Sequence, residues 1–142
     1  MTDHPERTLI LVKPDGVRRN LSGEILRRVE AKGYTLVDLD LRVPDDDLLA
    51  RHYAEHVGKP FYQPLVEFMS SGPVLAAVAQ GNRVIEGFRS LAGATDPTAA
   101  APGTIRGDLG RDWGLKVLQN LVHGSDSPSS AEREIALWFP RL

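Results

Sequence analysis

The chain has 142 residues, and at roughly 100 to 200 residues per domain this length predicts a single domain spanning residues 1–142. It contains no cysteine, which excludes disulfides, thiolate metal centres and a cysteine nucleophile. Seventeen basic and nineteen acidic residues give a net charge of −2, so the overall charge does not favour nucleic acid or an anionic membrane as a partner.

The opening segment Met1–Arg7 is polar and contains no apolar signal sequence. No apolar run approaches the ~18 residues needed to cross a bilayer. We therefore expect a soluble protein of the cytoplasm that does not bind a membrane. The side chains that titrate near neutral pH without perturbation are the histidines, so nucleophilic or acid–base chemistry is sought there first. They are His4, His52, His56 and His123.

The first half of the chain begins with an apolar run, Thr8–Val12, that predicts a central strand buried on both faces and stopped by a turn at Lys13–Gly16. Ser22 is expected to cap a helix that stops at Gly33. Apolar and polar residues then alternate along Thr35–Val43, which predicts a strand with one exposed face.

The next elements are two helical segments, from Pro44 through about His56 and over Phe61–Met69. A third strand is expected at Val74–Val78, followed by an amphipathic helix from Val84 to about Gly93. This order of strands and helices favours an α/β sandwich, in which a sheet containing antiparallel strands is covered by helices.

The segment Gly93–Gly114 is rich in glycine and proline and shows little hydrophobic periodicity, so we expect an irregular loop. Loops of this length inside compact domains are usually functional or disordered. Thr95, Arg106 and Arg111 lie within it and are side chains suited to binding anions, which favours a functional loop over a simple surface excursion.

A short strand is expected at Asn120–His123, and a final amphipathic helix follows it. Ser127 is predicted to be the N-cap of that helix and Pro128 its first residue. The spacing of its apolar residues indicates one buried face. These residues are Ala131, Ile135 and Trp138.

Neither a P-loop nor a dinucleotide-binding glycine motif is present in the sequence, so side chains would have to hold any phosphate. One metal-like pattern occurs: His52-Tyr53-Ala54-Glu55-His56 matches the inverted zinc-protease motif H-x-x-E-H. We favour a solvated helix face for this pair of histidines. A zinc site and an accessory role toward an anionic ligand are the alternatives.

His123 has more specific surroundings than the other histidines. It ends a predicted strand, and Gly124 leaves space beside its ring. Ser125 and Asp126 then lie in a turn before a helix N-terminus, whose free amides and dipole favour phosphate. Glu134 is predicted to face inward from the final helix, where it would hold one ring nitrogen and leave the other as a nucleophile. A purely structural histidine is the alternative.

The run Asn120–Ser127 (NLVHGSDS) resembles the active-site signature of the nucleoside diphosphate kinases. The resemblance extends over essentially the whole chain in ordered pieces. These pieces are the opening strand into Lys13–Gly16, Tyr53–Tyr62, Ser71–Val74, Arg89–Pro97, Pro102–Asp108 and Glu134–Pro140.

The resemblance implies a ferredoxin-like βαββαβ core with a four-stranded antiparallel sheet covered by helices. It implies transfer of the γ-phosphate of a nucleoside triphosphate, mainly ATP, to nucleoside diphosphates by a ping-pong mechanism through a phosphohistidine on His123. It also implies Mg²⁺ as the cofactor, held mainly by the nucleotide phosphates, and a homo-oligomer, with a hexamer favoured and a tetramer possible.

The resemblance also assigns roles to individual side chains. Those matching phosphate-binding positions are Arg89, Thr95 and Arg106, with His56 contacting phosphate in some relatives. Lys13 and Asn120 match residues that reach the sugar hydroxyls and nearby phosphate, and Phe61 matches the ring that stacks on the base. The residues that match supports of the histidine are Tyr53, Ser125 and Glu134.

The chain departs from the family pattern in one place, since it is longer than usual between Arg106 and Asn120. Relatives place this segment near the nucleotide entrance and subunit contacts. Either Trp113 or Val117 is therefore expected to face the base opposite Phe61.

Overall fold

The computed structural model describes residues 5–142, so His4 lies outside the described residues. Its four strands are β1 Arg7–Val12, β2 Thr35–Arg42, β3 Val74–Gln80 and β4 Val122–Gly124. The helices are α1 Pro14–Arg18, α2 Ser22–Ala31, α3 Asp46–His52, α4 Tyr62–Met69, α5 Val84–Ala92, α6 Ile105–Leu109 and α7 Pro128–Trp138.

The four strands form one sheet in the order β2-β3-β1-β4. All three neighbouring pairs are antiparallel. With helices between the strands, this arrangement confirms the predicted α/β fold with a four-stranded antiparallel sheet.

β1 lies at the centre of the sheet, and its side chains divide between two faces because successive strand residues point to opposite sides. Leu9 and Leu11 pack into one core, formed with α3, α4 and α7. Ile10 and Val12 pack into the other, formed with α2 and α5. The predicted central strand, buried on both faces, is confirmed.

Two predictions near the start of the chain are wrong. The expected turn at Lys13–Gly16 is the first part of helix α1. Ser22 does not cap α2, because Leu21 already has helical backbone angles and its carbonyl accepts the amide of Ile25 at 3.0 Å. Ser22 is therefore the first helical residue.

The helix predicted to continue through about His56 ends at His52. Asp45 caps α3 by accepting the amide of Leu48. The backbone then leaves helical geometry at Tyr53, with φ −103° and ψ 35°, and a separate 3₁₀ turn covers Ala54–His56.

The glycine-rich segment also contains more structure than predicted. Helix α6 forms within it, capped by the Thr104 side chain, which accepts the amide of Gly107. The strand expected at Asn120–His123 begins later, at Val122, because Leu121 has a φ of 71° and cannot extend a strand.

β2 is an edge strand whose apolar side chains are largely uncovered. Val37, Leu39 and Leu41 are 38%, 47% and 61% exposed. Leu39 and Leu41 pair with Ala77 and Leu75 of β3 and therefore lie on the face of the sheet that carries the second core.

Within residues 5–142, no helix combines the length and apolar character that spanning a membrane requires.

Candidate active site

The carboxylate of Glu134 lies against the Nε2 edge of the His123 ring. Glu134 is 6% exposed, and its Oε1 is 2.9 Å from His123 Nε2. The predicted inward position of Glu134 is confirmed. Burial raises the pKa of Glu134, but the hydrogen bonds from His123 and Ser125 outweigh it and lower the pKa overall. Because a carboxylate only accepts, His123 carries its proton on Nε2, and the Nδ1 lone pair is left free.

Ser125 ties this carboxylate to the central strand. Its hydroxyl donates to Glu134 Oε1 at 2.7 Å and accepts the amide of Leu9 at 3.2 Å. The Ser125 amide donates to the Leu9 carbonyl at 3.3 Å. Because Ser125 is fully buried, its hydroxyl orients Glu134 and is not presented to a ligand.

A left-handed residue sets the position of the short strand that carries His123. Leu121, with φ 71°, donates its amide to Asp15 Oδ2 at 3.1 Å and accepts the Lys13 amide at 2.8 Å. Asp15 is 4% exposed. This role of Asp15 was not predicted from the sequence, because nothing in the spacing of Asp15 and Leu121 indicates a contact between them.

A cavity of about 280 Å³ opens in front of His123. It brings together six of the predicted site residues, namely Lys13, Arg89, Thr95, Arg106, Asn120 and His123. Three of its lining side chains are basic, and none of those described is a carboxylate. Its charge therefore suits a polyanion.

Lys13 and Asn120 form a partly buried hydrogen-bonded chain on one wall of the cavity. Lys13 Nζ donates to Asn120 Oδ1 at 2.8 Å, and Asn120 Nδ2 donates to the Thr95 carbonyl at 3.0 Å. Burial, with a further contribution from the positive charge of Arg106, lowers the pKa of Lys13 to about 8. The ammonium is therefore poorly neutralised by the protein itself.

Arg106 fixes the backbone around the cavity. Its guanidinium donates to three carbonyls, those of Gly93 at 2.9 Å, Asn120 at 3.0 Å and Val122 at 2.7 Å. Burial and the nearby charge of Arg89 lower the pKa of Arg106 to about 10, so the group remains positive at neutral pH. Arg89 donates to the Gly124 carbonyl at 3.3 Å.

Phe61 and Tyr53 do not line this cavity. Phe61 is 50% exposed at the start of α4, with the His56 ring edge-on at 5.1 Å. His56 in turn stacks on Tyr53 at 6.1 Å. Burial, with the charge of Glu134, raises the pKa of Tyr53, so its hydroxyl is protonated at neutral pH. These rings form a row leading from the surface toward His123.

The prediction that His52 is solvated is wrong. His52 is 5% exposed, and its Nδ1 accepts the indole N–H of Trp138 at 3.1 Å. Burial, followed by the charge of His123, lowers the pKa of His52 to about 3. A usable signal was present, since Leu49 lies three residues earlier and shares the buried face of α3.

The zinc alternative for His52 and His56 loses its geometric basis, because α3 ends at His52 and the pair does not share a helical face. Within residues 5–142, His52 lies close enough to His123 and Glu134 for these three side chains to be considered as possible metal ligands. Trp138 occupies Nδ1 of His52, and the neutral ring carries its proton on Nε2. His52 therefore has no free lone pair for a metal.

Gly124 is required for a different reason from the one predicted. A Cβ at this position would lie 2.6 Å from Phe88 Cδ2. The space beside the backbone thus accommodates the Phe88 ring from α5 and not the imidazole of His123.

The segment between Gly110 and Gln119 forms no helix or strand. Trp113 is 48% exposed, with the Arg111 and Arg19 guanidinium carbons 4.4 Å and 5.8 Å from its ring centroid. Val117 instead is partly buried and packs against the core that includes Val66 and Phe68 of α4.

The profile of the nucleoside diphosphate kinase family matches residues 6–142. The chain belongs to this family. A nucleoside diphosphate kinase of Thermobifida fusca is 61% identical over 137 residues, which cover 96% of this chain and 98% of that protein. Another, from Mycolicibacterium gilvum, is 62% identical over 138 residues, with coverages of 96% and 98%.

Solved structures give the same result. A nucleoside diphosphate kinase of Halobacterium salinarum in complex with CDP matches with a TM-score of 0.89 and 51% identity, covering 96% of this chain and 88% of that one. A family protein from Babesia bovis matches with a TM-score of 0.87 and 48% identity, with coverages of 94% and 88%. The predicted family, fold and phosphotransferase activity are confirmed, and a ping-pong mechanism is typical of the family.

Proposed function

We propose that His123 Nδ1 carries the phosphoryl group between two nucleotides. The observation that carries this proposal is the 2.9 Å contact between His123 Nε2 and Glu134 Oε1. It leaves the Nδ1 lone pair free and places a negative charge where the ring becomes cationic during attack. The N–P bond forms as the γ-phosphorus–oxygen bond breaks, and its electrons leave with the nucleoside diphosphate. The second half-reaction is the reverse, with a different diphosphate.

The basic side chains of the cavity are proposed to hold the phosphates in place of a P-loop. Phosphoryl transfer requires positioning and charge stabilisation more than covalent work by the protein. Arg89, Arg106 and Lys13 supply positive charge around the space in front of His123, and Thr95 supplies a hydroxyl. Asn120, which accepts a hydrogen bond from Lys13, is proposed to reach the sugar together with that lysine.

Phe61 is proposed to stack on the base. Its half-exposed ring offers a face without base-edge hydrogen bonds, so any base is accepted. Val117, packed against the core that includes Val66 and Phe68 of α4, is the favoured partner on the opposite side of the base. Trp113 is the less favoured candidate, because its ring is covered by the guanidiniums of Arg111 and Arg19.

The family generally needs a divalent metal, and we propose Mg²⁺ that enters bound to the nucleotide. Mg²⁺ prefers oxygen ligands, above all carboxylates and phosphates. The described side chains lining the cavity offer no carboxylate, so they do not form a dedicated magnesium site. The ion supplies charge neutralisation on the phosphates as part of the substrate.

A homo-oligomer is proposed, with a hexamer favoured over a tetramer. The supporting observation is the uncovered apolar edge strand β2, where Leu39 and Leu41 are 47% and 61% exposed. Exposed apolar edge strands invite pairing with a second chain. We further propose that residues 1–142 act as one domain in the cytoplasm, where nucleoside triphosphates are used.

Mixing the protein with γ-labelled ATP is expected to give an acid-labile phosphoenzyme, because the N–P bond of phosphohistidine hydrolyses in acid. Added GDP should discharge the label. His123→Ala should abolish labelling, while His56→Ala should retain it and serve as a histidine control. Absence of label in the unsubstituted protein, or full labelling of His123→Ala, would contradict the proposed carrier.

A further inference from the structure

A buried imidazole that the proposed mechanism does not use lies against the nucleophile. The ring of His52 is 4.8 Å from that of His123, centroid to centroid, at an angle of 73°. The rings of Tyr53 and Trp138 also pack edge-on against His52, with centroid-to-centroid distances of 4.6 Å and 5.8 Å. His52 is therefore held on its other sides and forms a rigid wall beside His123.

The protonation state of His52 is determined by its neighbours. The Trp138 indole can only donate, so Nδ1 of His52 must accept, and the neutral ring carries its proton on Nε2. A charged His52 would be a second cation competing for Glu134. Because His52 is neutral, the carboxylate is left to the Nε2–H of His123.

The orientation of the His123 ring decides which nitrogen is free to attack, because only the observed orientation keeps Nε2 on Glu134. A half-turn about its Cβ–Cγ bond exchanges the place of Nδ1 with that of Cδ2, and the place of Nε2 with that of Cε1. The hydrogen bond to Glu134 favours one orientation but contacts only one edge of the ring. The edge-to-face contact with His52 restrains a second part of the ring.

We propose that His52 is a positioning residue that, together with Glu134, holds His123 in one orientation and so directs the phosphoryl group to Nδ1 and not to Nε2. This inference rests on the proposed role of His123. In the step itself the Nδ1 lone pair forms the N–P bond and the γ-phosphorus–oxygen bond breaks toward the departing diphosphate, while the proton stays on Nε2 and remains hydrogen-bonded to Glu134.

Three variants test the proposal. His52→Ala removes the ring that contacts His123, whereas His52→Phe keeps an aromatic ring there without the Nδ1 acceptor. Leu49→Ala is the matched control, because Leu49 lies one turn earlier in α3 and is fully buried in the core. It reproduces a loss of packing without removing the contact with His123.

The first measurement is the isomer of phosphohistidine formed with ATP, resolved by ³¹P NMR after alkaline denaturation. We expect only the Nδ1 isomer in the unsubstituted protein, Leu49→Ala and His52→Phe, and a mixture in His52→Ala. Since a small misplacement of reacting groups can cost about a hundredfold in rate, kcat of His52→Ala should fall by about tenfold or more, with KM nearly unchanged. A single isomer in His52→Ala, with kcat no lower than in Leu49→Ala, would overturn the proposal.

The second measurement needs no phosphate transfer. Nitrogen NMR of the unliganded protein should show His123 as the Nε2–H tautomer, and as a mixture of tautomers in His52→Ala. An unchanged tautomer in that variant would overturn the inference even if the protein takes no phosphate. Failure of the unsubstituted protein to take phosphate would contradict only the proposed function.

Discussion

At the scale of single residues, the site depends on charges that the protein itself leaves unbalanced. Lys13 is partly buried near the positive charge of Arg106, and its ammonium donates to the neutral amide of Asn120. Glu134 is committed to His123 and Ser125 and does not neutralise the cavity. The phosphates of a bound nucleotide would supply the negative charge that balances these basic side chains.

Nucleotide binding is therefore expected to be coupled to proton uptake above neutral pH. With a pKa of about 8, Lys13 is partly neutral at about pH 8.5, and a bound polyanion restores its charge by raising the pKa. At pH 7 the ammonium is already charged in both states, so little uptake is expected. Calorimetry of nucleoside diphosphate binding in buffers of different ionisation enthalpy measures the number of protons taken up at each pH.

The control for this experiment is Lys13→Gln, which keeps a polar side chain without a titrating group. It should abolish the uptake at the higher pH while weakening binding at both pH values. Equal uptake by the two proteins would show that another group takes the proton.

At the scale of elements, the position of His123 depends on contacts between segments far apart in sequence. The left-handed Leu121 before β4 is held by Asp15 of α1, and the Gly93, Asn120 and Val122 carbonyls are gathered by Arg106 of α6. A left-handed leucine is unfavourable in isolation. These contacts therefore hold a turn that the local sequence does not favour.

Asp15→Ala is expected to lower the free energy of unfolding by about 2 kcal/mol, because it leaves the buried Leu121 amide without an acceptor. Asp15→Asn, which keeps an acceptor oxygen, should lose less. Urea unfolding followed by circular dichroism measures both variants.

Asp47→Ala is the surface control for these variants. Asp47 has a 73% exposed side chain in an ion pair with Arg51, and such a change usually costs less than about 0.5 kcal/mol. A loss in Asp15→Ala no larger than in this control would refute the role assigned to Asp15.

Elements with strong local patterns were predictable from the sequence. The apolar run of β1, the Ser127 cap of α7 and the inward Glu134 all appear where the sequence indicates them. The misplaced start of β4 and the wrong prediction for His52 share one cause, which is contact with residues far away in the sequence. Leu121, held by Asp15, delays β4, and His52 is buried by Trp138, 86 residues later in the chain.

The candidate site was predictable to the extent that it rests on a signature and on amphipathic spacing. Six of the residues that line the cavity were named as site residues from the sequence. The contacts that position them, such as the three carbonyls held by Arg106, leave no periodic trace in the sequence. These positioning contacts can be identified only once the fold is known.

At the scale of the whole molecule, the sheet has one uncovered edge. β2 presents alternating apolar residues beside β3, while the opposite edge, β4, is short and carries His123. Covering the first edge with another chain buries apolar surface without obstructing the second. The proposed assembly surface and the proposed nucleophile thus lie at opposite edges of the same sheet.

Leu41→Glu is expected to shift the protein to smaller species in light scattering coupled to size-exclusion chromatography, because it places a charge in the proposed interface. Val57→Glu is the control, since Val57 is 53% exposed but lies in the loop before α4 and not on the sheet edge. If both variants keep the mass of the unsubstituted protein, β2 is not an assembly surface.

The half-exposed ring of Phe61 has a consequence for turnover. One cavity must release a diphosphate before the next one enters, so each catalytic cycle exchanges nucleotides twice through the same opening. If the base stacks on this half-exposed ring as proposed, we expect the base to depart first and the phosphates to follow. Tight retention of the base would slow both exchanges, and the open edge of the site therefore favours speed over affinity.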